Sequence, residues 1–153
     1  MKAIAQLTIT KGNIKGFVIF EEDLKKKTTK IRIKVSGLAP GKHGFHIHEF
    51  ADFRNGCKSL GPHYNPHNKN HGGPDSKERH IGDLGNIVAN SKGEVSKTMY
   101  NKTIKLKGKY SVVGRSVVIH EKEDDLGLGG NAESLRTGNS MNRIACGIIG
   151  FCK

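Results

Sequence analysis

The run Lys30-Ile31-Arg32-Ile33-Lys34-Val35 alternates cationic and β-branched apolar residues without a fault. Successive side chains of a strand point to opposite faces, so this pattern sends the apolar residues to one side and the charges to the other. A helix would scatter both around its circumference. The same period of two recurs at Ala3–Ile9, Ile14–Phe20, Asp83–Ala89, Val95–Tyr100, Ser116–His120 and Arg143–Phe151. Between these runs lie Ser36-Gly37, Pro40-Gly41, Ser91-Lys92-Gly93 and Lys107-Gly108, which is turn chemistry. Nowhere is there a sustained helical period with caps. About eight short strands at this spacing predict an all-β fold, an antiparallel sandwich or barrel. Two segments break the rhythm, Phe50–Ile81 and Glu121–Asn142. Long loops without secondary structure of their own are usually functional or cross-linked.

At 153 residues the chain is read as one domain spanning 1–153. The net charge of +12 attracts polyanions and small anions alike. Charge alone does not choose between nucleic acid and an anionic substrate, and nothing in the chain points to a specific nucleic-acid partner. No membrane association is expected, because the longest apolar run, Ile144–Cys152, is far too short to span a bilayer. The opening MKAIAQLTIT lacks an apolar secretory core, so a cytoplasmic location is the expectation.

Seven of the eight histidines fall between His43 and His80, and Asp83 follows them. Neutral imidazole is the commonest protein ligand for zinc and copper. In GFHIHEF the histidines His46 and His48 alternate with Phe45 and Ile47. Residues two apart on a strand project from one face, roughly 6.5–7 Å apart, so both imidazoles can reach one ion while their neighbours enter a core. His63, His71, His80 and Asp83 offer three nitrogens and a carboxylate, a closed tetrahedral set for zinc. Pro62, Pro66, Gly72, Gly73 and Pro74 let that segment fold back on itself. His46, His48 and the isolated His120 remain as a nitrogen set suited to copper, which changes oxidation state where zinc cannot. One histidine shared between the sets would give copper a fourth nitrogen.

The stretches GFHIHEF, GPHYNP, NHGGPDSKERHIGDLGN, VVIHEKEDDLG, GGNAES and RIACGIIG resemble the intracellular copper/zinc superoxide dismutases, nearly end to end. The resemblance implies an eight-stranded antiparallel Greek-key β-sandwich or barrel with two long functional loops. It implies copper at His46, His48, His63 and His120, zinc at His63, His71, His80 and Asp83, and His63 bridging the two. It places Asp124 behind His46 and His71, tethering their outer nitrogens. The implied reaction disproportionates superoxide to dioxygen and hydrogen peroxide as copper cycles between two oxidation states, with His63 carrying a proton. Arg143 takes the place of the anion-holding arginine. Thr137 narrows the channel, and Glu133 with Arg136 shapes the field at its mouth. Cys57 and Cys146 match the family's intrasubunit disulfide, leaving Cys152 free. A homodimer is implied through Phe50, Ala51, Asp52, Gly114, Ile148, Gly150 and Phe151. A copper chaperone is a possible but not a required partner, since Asn142 and Ile144 stand where chaperone-dependent members tend to carry prolines.

Other histidines have blander readings: His43 is structural and His67 exposed. The chain also departs from the family pattern. Met141 stands where a glycine is usual, and Ala132, Leu128 and Leu135 replace more polar residues in the second loop. A copper carrier of the same fold would be expected to add a metal-binding domain or a terminal CxC. The other rival is a catalytically inert decoy, or a polyanion-binding module using the basic surface; a decoy should have lost a ligand or the channel arginine, and this chain has lost neither.

Overall fold

A computed structural model describes residues 1–153. Nine antiparallel strands carry the chain: β1 Lys2–Gln6, β2 Ile9–Thr10, β3 Lys15–Asp23, β4 Thr28–Ser36, β5 Gly41–His48, β6 Asp83–Ala89, β7 Val95–Asn101, β8 Ser116–His120 and β9 Arg143–Cys152. Eight of them run in the order β6-β5-β8-β9-β1-β3-β4-β7, and the short β2 pairs with β9. The result is a nearly closed antiparallel barrel, all-β as the alternation predicts.

Alternation explains the interior. On β4, Ile31, Ile33 and Val35 are buried while Arg32 and Lys34 face solvent. The same core takes Ala3 and Ala5 from β1, Val18 and Phe20 from β3, Phe45 and Ile47 from β5, Ile119 from β8 and Ile149 from β9. Each fully buried Ile or Phe contributes about 1.5–3 kcal/mol relative to exposure. The strand predicted over Ala3–Ile9 is in fact interrupted. Ala5 pairs with Ile149 and Ile9 with Cys146, so four steps on one strand oppose three on the other. A bulge of this kind breaks the ladder and divides the strand into β1 and β2.

The two long loops pack on one end and side of the barrel. The first contains a 3-10 turn at Gly56–Leu60, and the second contains one helical turn, α1, at Ser134–Thr137. Cys57 and Leu60 pack with Val118 and Cys146 in a small cluster outside the main core. There the Cys57–Cys146 disulfide forms, with the Cα atoms 5.9 Å apart and a separation of 89 in sequence. In the loop-entropy description a closure of this length contributes roughly 4–5 kcal/mol. Cys152 is free and exposed. No helix is long and apolar enough to cross a membrane.

Candidate metal centre

Strand β5 sends Phe45 and Ile47 into the barrel and turns His46 and His48 to its other side. That side is covered by the loops, so both histidines are buried even though they do not belong to the core. His120 arrives from the end of the adjacent β8, where the pairing with β9 is irregular. His63 is brought against β5 by a bridge to His48. His71 and His80 come from the first loop, and Asp83 opens β6. Two groups converge from these elements: His46, His48, His63 and His120 in one, and His46, His63, His71 and Asp83 in the other, with donor atoms within 4.8 Å of each other in each group. His80 Nδ1 completes the second group at 3.1 Å from Asp83 Oδ1 and 3.2 Å from His63 Nδ1.

Hydrogen bonds around the rim decide which ring nitrogens face inward. His48 Nδ1 donates to Gly61 O at 2.9 Å, and His120 Nδ1 donates to Met141 O at 3.1 Å. The Nε2 atoms of both rings are therefore bare lone pairs, yet they face one another at 3.3 Å. Two lone pairs at that distance repel unless a cation lies between them. Asp124 fixes one ring from each group, accepting from His46 Nε2 at 2.6 Å and His71 Nε2 at 2.7 Å. This leaves His46 Nδ1, His63 Nε2 and His71 Nδ1 buried without a hydrogen-bond partner. His71 Nδ1 comes within 2.9 Å of Asp83 Oδ1 but is misaligned for a hydrogen bond. His63 Nδ1 also lies 2.9 Å from that oxygen. Ligands at about 2.0–2.1 Å from a tetrahedral zinc lie roughly 3.3 Å apart, close to these spacings. Orphaned nitrogens at metal-ligand spacing fit bound cations and nothing else the protein offers.

Electrostatics agree with the geometry in the first group. Burial pushes His46 and His48 well below the ordinary imidazole range, helped by the neighbouring rings, and lowers His63 as well. Burial likewise pushes His120 down to about 4. Neutral imidazoles are what a metal needs. Burial also opposes charge on His71, but hydrogen bonds to Asp124 and Asp83 outweigh it and raise the group to about 9. Asp83 is desolvated too, yet contacts with His63, His71 and His80 hold it far below the usual carboxylate range.

A cavity of about 260 Å³ leads to the first group, lined by His48, His63 and His120 and by Glu133, Arg136, Thr137, Met141 and Arg143. Arg143 is half-buried, and its guanidinium donates to Cys57 O at 2.9 Å and Gly61 O at 2.7 Å. No carboxylate neutralises it. Glu133 does pair with Arg136, at 2.7 Å, and accepts from the Thr137 hydroxyl at 2.7 Å.

The profile of the copper/zinc superoxide dismutase family matches residues 14–149. The chain belongs to the copper/zinc superoxide dismutases. It is 53% identical over 142 residues to superoxide dismutase [Cu-Zn] A of Xenopus laevis, covering 92% of each chain. It is 50% identical over 153 residues to the superoxide dismutase [Cu-Zn] of Paramecium bursaria Chlorella virus 1, covering 99% of this chain and 81% of that one. An extracellular superoxide dismutase [Cu-Zn] of Drosophila melanogaster is 52% identical over 138 residues, covering 90% and 76%. This dismutase is accordingly an oxidoreductase of superoxide with copper and zinc as its metals.

Three features of the dismutase site were not read from sequence. Asn86 exchanges two hydrogen bonds with the backbone of Asp124, at 2.8 and 2.9 Å, and so holds the tethering carboxylate in place. Gly138 passes so close to Asp124 and His71 that any Cβ there would overlap both side chains. Met141 lies at φ +65°, the left-handed region that glycine occupies freely, which explains the usual glycine at this position. His43 sits as expected for a structural residue, with its ring nitrogens 2.8 Å from His120 O and 2.7 Å from Ala39 O. His67 is exposed against Tyr110.

Proposed function

We propose that copper is held by His46, His48, His63 and His120, and zinc by His63, His71, His80 and Asp83, with His63 shared between them. The observation that carries this reading is the pair of bare Nε2 atoms on His48 and His120, 3.3 Å apart and buried. When bound, copper supplies one-electron redox chemistry, and zinc, which has none, supplies structure. The protein residues do the rest. Arg143, fixed by two carbonyls, presents its remaining N–H groups as a fork for a small anion. His63 Nε2 has no protein partner and is the atom able to hold a proton destined for peroxide. Asp124 keeps His46 and His71 in the tautomers that turn Nδ1 inward. Glu133, Arg136 and Thr137 form the wall and charge of the cavity mouth. The test is metal analysis paired with a superoxide-removal assay on one sample. One copper and one zinc per chain are expected, in line with the two converging groups. An active protein with a single metal would refute the assignment.

Superoxide is an anion, so charge near the mouth should govern its arrival more than distant charge. Arg136→Glu would add a second carboxylate beside Glu133 where a neutral pair now sits. Its rate at low salt should fall by roughly tenfold, the lower end of what steering commands, and its decline with ionic strength should flatten or invert. Lys26→Glu, at an exposed turn between β3 and β4, should change little. Equal effects from the two would show that net charge rather than local field sets the rate.

A homodimer belongs to the same reading. Phe50, Ile148 and Phe151 are exposed at 50%, 40% and 58%, beside Ala51, Asp52, Gly114 and Gly150. An apolar patch of this kind supports a two-fold, self-complementary contact. Gly150→Asp should give monomers by sedimentation while the wild type sediments as a dimer at micromolar concentration. A monomeric wild type would remove the proposal. The flanking Asn142 and Ile144 support disulfide closure without obligatory help from a copper chaperone. The exposed thiol of Cys152 suits a reducing cytoplasm.

A further inference from the structure

A second hollow lies outside the channel, between the first long loop and the segment that follows β7. It encloses about 470 Å³, and among its lining residues are Lys69, Lys77, Arg79, Thr103, Lys105 and Tyr110. No carboxylate lines it. Some surface cations are paired closely, as in Arg32–Glu21 at 3.0 Å and Arg54–Asp52 at 2.7 Å. Those around this hollow are not. Lys69 Nζ donates only to a carbonyl, that of Lys77, at 3.2 Å. Arg79 donates to Asp83 O at 2.7 Å and to the Thr103 hydroxyl, so its guanidinium is oriented by neutral acceptors, while the carboxylates of Asp83 and Asp75 act on it only from beyond ion-pair distance. Thr103 is itself pinned, its N–H and hydroxyl each 2.8 Å from Asn101 Oδ1. Lys105 Nζ donates to Lys27 O at 3.2 Å, and its nearest carboxylate oxygen, on Glu22, stands 3.9 Å away.

Like charges converging on one concavity repel, and an anion entering it relieves that repulsion. The demand exceeds a single charge. A larger hollow of about 790 Å³ adjoins this one through Lys69, His80 and Tyr110 and adds Lys109 and Arg115 against a single carboxylate residue, Glu49. A ligand with consecutive anionic groups can follow the cations from one hollow into the next. Arginine and lysine together favour phosphate, the first by its fork and the second as a compact charge.

We propose that this hollow binds a ligand with two or more adjoining phosphate groups, such as free pyrophosphate or the diphosphate of a nucleotide. This hollow shares His80 with the proposed zinc group, and the larger one reaches the channel at His63 and Arg136.

The test is calorimetric titration of the copper- and zinc-loaded protein with pyrophosphate and, separately, with ADP, at 0.15 M salt. Metal content is measured before and after, so that extraction of an ion cannot pass for binding. Saturable binding of one ligand per chain is expected, weakened about tenfold in Lys77→Gln and again in Lys105→Gln, and unchanged in Lys26→Gln. Lys77 is exposed and Lys26 lies in an exposed turn, so neither substitution threatens folding. Tighter binding of ADP would identify the nucleotide as the source, and equal binding the phosphates alone. The proposal fails if neither ligand saturates below millimolar concentration, if Lys26→Gln weakens binding as much as Lys77→Gln, or if the heat tracks metal loss.

Discussion

Replacing His120 with alanine should abolish superoxide removal while leaving zinc bound. His120 reaches the centre from the end of β8, and its inward nitrogen meets only the group of His46, His48 and His63, 3.3 Å from His48 Nε2. The donors around Asp83 Oδ1 come from His63, His71 and His80, all on the other side of the shared ring. Removing a residue that merely orients a ligand costs roughly 10–100-fold in metal affinity, so loss of a ligand itself should exceed the upper end of that range. Copper content and activity should fall together by more than about a hundredfold. Zinc, measured on the same sample, should stay at its wild-type level. Zinc loss with copper retained would reverse the two assignments.

Asp124→Asn should weaken both sites at once without touching either ion. The carboxylate accepts from His46 Nε2 and His71 Nε2 on separate oxygens, and Oδ1 also accepts from Leu126 N at 2.8 Å. An amide keeps only one acceptor and sets an N–H against an imidazole N–H on the other side. One ring must then turn or change tautomer, which aims a protonated nitrogen at the metal. A loss of about 10–100-fold in affinity is expected at each site, read by competition with chelators of known strength. Retention of wild-type zinc and copper affinity would show that Asp124 is a bystander. Because Asn86 braces Asp124 from behind, Asn86→Ala should give a milder version of the same defect.

How much of this could be read from the chain alone depends on whether the cause is local. Strands β6 and β8 appear where the alternation put them, at Asp83–Ala89 and Ser116–His120, because one face of each must enter the core. The interruption between β1 and β2 was not legible. It arises from a slip against β9, nearly the whole chain away, and nothing in Leu7 or Thr8 announces it. Histidine spacing was legible because imidazoles at strand and loop positions carry their chemistry openly, and the nominated residues do come together. Asn86 was not legible, since an asparagine on a strand has no signature until the loop it holds has folded over it. Nor could the total of +12 reveal that Lys69, Lys77 and Arg79 line one hollow that no carboxylate lines.

The fork of Arg143 hangs from the segment that the disulfide ties down. Its two fixed hydrogen bonds go to the carbonyls of Cys57 and Gly61, and Cys57 is joined to Cys146, three residues beyond Arg143 on the same strand. One covalent link therefore closes a small frame with the arginine inside it. Cutting that link removes no imidazole but frees the segment that aims the guanidinium and that, through Gly61 O, orients His48. A molecule exposed to strong thiol reductants would keep its metals for a time and yet catch its substrate poorly. The cross-link thus acts as a permit, and the surroundings that issue or revoke it decide when this protein works.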